Sequence, residues 1–126
     1  MTLTNLFRLH AALAAMYAIG LVLVPKVIVG LLSDEPLGSV GADVTRLFGA
    51  ALVLITLITW AASRMSDTTG RRAIALSLFV YATLGAIITL LGQFAGTWGA
   101  LGWSNMVSYL IFVIGYGYFL FVKPRS

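Results

Sequence analysis

The sequence predicts an all-α integral membrane protein: an antiparallel bundle of four transmembrane helices, with a short interfacial or re-entrant helix after the first. Three observations carry this. Of 126 residues, 60% are hydrophobic and 10% charged, against about 45–50% and 25% in ordinary soluble domains, so a water-soluble fold would lack the polar surface to cover itself. The apolar residues fall into four long runs separated by polar breaks. The basic residues stand mostly at the ends of those runs, within reach of lipid headgroups. The chain is short enough for one domain. Its net charge of +4 does not read as a nucleic-acid surface, because no basic face interleaved with aromatics exists. With no cysteine, disulfides, thiolate metal sites and thiol nucleophiles are excluded.

The first span covers residues 6–24. Arg8 ahead of an apolar run has the look of a secretory signal, but no small-x-small cleavage site follows, and the run is read as a retained span. Pro25 ends it: proline has no N–H and its ring would clash with the carbonyl of Leu21 in a continuing helix. The VIVGLL of residues 27–32 therefore bends away, either as an interfacial or re-entrant helix or as a kinked extension. Residues 33–44, SDEPLGSVGADV, hold three of the four acids together with proline and two glycines and read as a loop.

Span two covers residues 45–62. Its Thr45, Gly49, Leu52, Thr56, Thr59 and Ser63 recur at steps of three or four and form one stripe. A polar turn with Arg64, Arg71 and Arg72 leads into span three, residues 73–94, where Ser77, Tyr81, Gly85 and Gly92 mark the corresponding face. An uncharged loop with Trp98 and Trp103 belongs at the headgroup level, where tryptophan concentrates. Span four covers residues 104–122, with Asn105, Ser108, Phe112, Gly115 and Phe119 on its face. In span one the matching face is His10, Ala14 and Tyr17. Helices in lipid pack through small residues and side-chain hydrogen bonds, so the four stripes are expected to face one another. The plainer reading is that they only pack, each hydroxyl bonded back to its own helix.

Four spans put the N-terminus, the second loop and the C-terminus on one side, with six basic residues, Arg8, Arg64, Arg71, Arg72, Lys123 and Arg125, against Lys26 and Arg46 on the other. This bias places both termini in the cytoplasm and the protein in the inner (cytoplasmic) membrane.

Arg46 falls in the first turn of span two, where a cation opposes the helix dipole. Asp43 is its nearest prospective partner. Arg46 is either a lipid or anion contact at the outer mouth of the bundle or an arginine snorkelling to phosphate. His10 is a proton carrier or metal ligand, or else a packing histidine without a second ligand to complete a site. Gln93 and Asn105 are placed to hydrogen-bond to each other across one short loop. Tyr109, Phe112, Tyr116, Tyr118, Phe119 and Phe121 make span four an aromatic wall fit for a flat apolar molecule such as a quinone or polycyclic lipid. All four acids lie in loops, so the intramembrane carboxylate of proton-coupled exporters is absent. Paired carboxylates, a phosphate-binding glycine loop and metal-ligand spacings are absent too.

In organisation the chain resembles the small bacterial four-span proteins of the DoxX-like and DUF4345-like kind. The likeness rests on the short first span ending at Pro25, the VIVGLL after it, the RLFGA opening span two at Arg46 and the arginine-rich turn before span three. It implies a role in assembling or accompanying other membrane proteins. At GQF, residues 92–94, the chain lacks the basic residue of the second family. The sequence thus predicts a non-catalytic accessory protein that joins a larger membrane complex or homo-oligomer, or holds a lipid or quinone between its helices. It binds membrane lipids, no nucleic acid and no resident cofactor. The alternative is an oligomeric transporter or channel with the Thr/Ser stripe of span two lining the pathway.

Overall fold

A computed structural model describes residues 1–123 as helices α1 (Leu3–Leu23), α2 (Pro25–Leu32), α3 (Ser39–Arg64), α4 (Thr68–Phe94) and α5 (Gly102–Gly117), the last running on into a π-helical turn, Tyr118–Val122. Arg125, counted above among the cytoplasmic basic residues, lies outside the described residues. The four long helices are apolar and long enough to cross a membrane; at 1.5 Å per residue α1 alone reaches about 31 Å, the thickness of the hydrocarbon core. Their outward faces carry bare apolar side chains such as Leu57, Ile88 and Ile114. This is the surface of a multi-pass membrane protein.

Local chemistry sets the helix ends. Thr2 caps α1 by accepting from the Asn5 amide. Val24, ahead of Pro25, is driven out of the helical region to φ −135°, ψ 60°, and Pro25 then takes the first position of α2, where its missing N–H costs nothing. Asp67 caps α4 through the Gly70 amide at 3.0 Å. Gly96 closes α4 at φ +79°, the left-handed conformation glycine adopts without strain. The sequence reading is corrected at two helix starts: α3 starts at Ser39, six residues before the expected Thr45, and α4 at Thr68, five before the expected start of span three, so that Arg71 and Arg72 are helical. Arg46 consequently sits past the second turn of its helix, away from the unpaired amides at the N-terminus, and the opposition to the helix dipole is weaker than expected.

The helices pack as two pairs. α1 lies along α3, closely enough that a Cβ on Gly49 would stand 2.8 Å from Val22 Cγ2 and 3.1 Å from the Val22 backbone nitrogen. α4 lies along α5. At one end all four meet in a single core, where Leu6 and Phe7 of α1, Ala62 of α3, Ala75 and Leu78 of α4, and Tyr116 and Phe119 on and just after α5 are buried together. Arg71 ties this end: its guanidinium donates to the carbonyls of Ala62 (3.0 Å) and Met65 (3.2 Å) and to Thr4 Oγ1 (2.9 Å), and sits 5.5 Å from the centre of the Phe7 ring. Further along, Ala18, Leu21 and Leu52 bury one another with Ile28 of α2 beside them, and neither α4 nor α5 contributes. The pairs part there, leaving a cleft.

Candidate functional site

The cleft between the pairs has two lobes. An inner lobe of about 50 Å³ is bounded by His10, Ala14, Leu52, Ala82, Ser108 and Phe112 among others. An outer lobe of about 400 Å³, within the range of small-molecule sites, is bounded by Leu21, Val29, Leu32, Leu84, Ile88 and Trp98 among others. Tyr17, Phe48, Tyr81, Asn105 and Tyr109 line both, so the lobes adjoin. No Asp, Glu, Lys or Arg lines either lobe.

Helix α2 and the α4–α5 loop cover the outer lobe. The turn forced by Pro25 sends Val29 and Leu32 over the opening, and the end of α2 is stitched to the loop. Ser33 Oγ donates to the Thr97 carbonyl at 2.5 Å, and the Gly99 amide donates to the Leu32 carbonyl at 2.7 Å. Trp98 of the same loop faces the lobe. At the waist, the rings of Tyr81 and Tyr109 meet edge to face with centroids 6.0 Å apart. The Asn105 side-chain amide donates to Thr89 Oγ1 over a long 3.4 Å, which leaves it weakly committed.

At the inner lobe, His10 is buried and stacks on Phe112, centroids 4.0 Å apart and planes 18° from parallel. Its Nδ1 is 2.8 Å from the hydroxyl of Tyr116, a side chain with no exposed surface.

Of the nine candidate contact or pocket residues, His10, Tyr17, Tyr81, Asn105 and Tyr109 come together around one cleft, joined there by Ala14, Thr45, Leu52, Gly85, Ser108 and Phe112 of the expected faces. The other four do not. Arg46 pairs with Asp43 at 3.3 Å on an exposed surface. Thr56 donates to the Leu52 carbonyl (2.8 Å) and Thr59 to the Ile55 carbonyl (2.7 Å), each back onto α3. The expected bond between Gln93 and Asn105 does not form: Gln93 Nε2 donates to the Gly99 carbonyl at 3.5 Å instead, because the loop folds back over the end of α4. The face of α4 also differs from the expected one. Ala75, Leu78, Ala82, Ala86 and Thr89 are buried, whereas Ser77 is exposed and bonds to its own Ala73 carbonyl. Alanine is a small packing residue of membrane helices as serine and glycine are, and a stripe of polar and glycine positions leaves that alanine face out. Phe48 and the two α2 residues were missed as lining, having no signal beyond being apolar in an apolar chain, and Trp98, expected at the headgroup level, lines the outer lobe as well.

Among the described residues no three His, Cys, Asp or Glu side chains gather as a metal site requires. Set against protein-family models, curated proteins and solved structures, the chain matches none.

Proposed function

We propose that this is a non-catalytic accessory protein of the cytoplasmic membrane that holds a lipid- or quinone-like molecule between its two helix pairs. The cleft carries the reading. It is large enough for such a molecule, walled by aromatic and aliphatic side chains, and furnished with a few polar groups in Tyr17, Tyr81, Asn105 and Tyr109. That combination is typical of ligand sites.

In the proposed placement the bundle is antiparallel with both termini cytoplasmic. The bond from Arg71 to Thr4 supports it, since it brings the starts of α1 and α4 to the end where α3 finishes. So does the gathering of Arg8, Arg64, Arg71 and Arg72 near that end of the sequence's spans. Helix α2 is taken as interfacial, its Lys26 exposed and its end tied to the tryptophan loop. A reporter fused to either terminus that reads periplasmic would overturn this topology. Homo-oligomers or a larger complex, and the likeness to the DoxX-like group, belong to the same proposal. The transporter reading draws little from α3: Thr59 and Ser63 are buried inside the protomer with hydroxyls bonded to their own helix, and of the Thr/Ser stripe only Thr45, itself bonded to the Gly41 carbonyl, lines the cleft.

The test is extraction of protein purified in mild detergent with chloroform and methanol, followed by mass spectrometry. A stoichiometric apolar molecule, lost in a Tyr109→Trp variant that fills the waist, supports the role. No retained molecule, together with no quenching of Trp98 fluorescence by added decylubiquinone in a Trp60→Phe/Trp103→Phe background, refutes it.

A further inference from the structure

The inner lobe specifies the chemistry of the occupant through the tautomer of His10. The hydroxyl of Tyr116 lies among Phe7, Phe112 and His10, and His10 Nδ1 is its only hydrogen-bond partner among the described residues. Were Nδ1–H the donor, the phenol proton would be stranded in apolar surroundings, at the cost of an unsatisfied buried donor. Tyr116 therefore donates to Nδ1, and the ring proton of a neutral His10 resides on Nε2. Among the described residues Nε2 has no hydrogen-bond partner. Among the described residues Gln93 Oε1 is the only fully enclosed side-chain nitrogen or oxygen without a hydrogen bond. Nε2 is thus not sealed, and the space His10 borders is the inner lobe.

Resting on the binding role above, we propose that the occupant is an uncharged molecule with an apolar tail, inserted head-first so that a carbonyl oxygen accepts from the Nε2–H of His10. A donor bordering the inner lobe calls for an acceptor. The absence of any Asp, Glu, Lys or Arg along both lobes excludes a phosphate or ammonium headgroup, whose charge would be buried without a partner. The lobes differ in size in the same sense: the inner one, about 50 Å³, has room for a carbonyl group but not for a ring, and the outer one, bounded by Leu84, Ile88, Val29 and Leu32, takes the rest of the molecule. A quinone and a diacylglycerol share this chemistry.

His10 is the sole histidine, so protein labelled with ¹⁵N-histidine reports on this site alone. The free protein should show a protonated Nε2 and a bare Nδ1, and Tyr116→Phe should admit the second tautomer. Decylubiquinone or dioctanoylglycerol should shift the Nε2–H signal, the one that does so identifying the source, and dodecyl phosphate should not. His10→Phe, which preserves the stack on Phe112, should weaken binding of the active probe about three- to tenfold, the value of one hydrogen bond. A proton on Nδ1 in the free protein, or an equal response to dodecyl phosphate, overturns the proposal. Quenching of Trp98 by decylubiquinone with Nε2 unmoved by either carbonyl probe overturns it as well, while leaving the cleft a binding site. No response of Trp98 or His10 to any probe removes both readings.

Discussion

Replacing Gly85 with alanine perturbs the cleft wall at a defined point. A Cβ at this position would lie 2.6 Å from Tyr109 Cζ and 2.7 Å from its Cδ1, with Cε1 closer still. Ordinary carbon contacts need about 3.5–4 Å, so the ring has to retreat by roughly 1 Å, and Tyr109 lines both lobes. Overpacking of this kind costs about 1–3 kcal/mol, while alanine in place of glycine inside a helix returns about 1 kcal/mol. The expected net loss is up to about 2 kcal/mol, read by SDS titration of micellar protein followed by circular dichroism. Two controls isolate the cause. Gly30, inside α2 with nothing near its added Cβ, should accept alanine with neutral or improved stability. In a Tyr109→Ala background, Gly85→Ala should cease to destabilise, a coupling of at least about 1 kcal/mol. Equal effects of Gly85→Ala with and without Tyr109 would refute the contact and the wall built on it.

Arg71→Met removes three hydrogen bonds and a ring contact at the junction of α1, α3 and α4; bonds from a charged donor being the stronger class, a loss of about 2–4 kcal/mol is expected in the same titration, and Arg71→Lys should recover less than half. A loss below about 0.5 kcal/mol for Arg71→Met would contradict the junction. Ser33→Ala cuts the side-chain half of the stitch between α2 and the α4–α5 loop, worth about 1 kcal/mol, and should speed hydrogen exchange of the Gly99 amide bonded to Leu32; unchanged exchange would mean that α2 is held by other contacts. Arg46→Ala breaks only an exposed pair with Asp43, so stability should change by less than about 1 kcal/mol and decylubiquinone binding should persist. A marked fall in that binding would return Arg46 to the site.

Much of the architecture was legible because bilayer thickness and proline chemistry act locally: the four spans, the break at Pro25 and the inward stripe of α3 from Gly49 through Leu52 and Thr59 to Ser63 all follow from short-range pattern. The start of α3 was not, because Gly41 and Asp43 have loop-like composition, yet Asp43 is helical and pairs with Arg46 one turn on. Faces were legible only in part. In lipid the outward side chains are as apolar as the buried ones, so hydropathy cannot separate Ala82, buried, from Leu84, exposed. The site depended on pairings far apart in the chain. His10 and Tyr116, each noted separately, meet across 106 residues, and nothing local encodes that meeting. Arg71 read as one member of a basic turn, whereas its three acceptors come from two other helices and the turn itself.

Native mass spectrometry of the protein released from detergent tests the central claim most directly. Wild-type protein should carry one uncharged apolar adduct, and Tyr109→Trp should fly bare. A bare wild-type mass, or adducts made up solely of charged phospholipids retained equally by the variant, would contradict it.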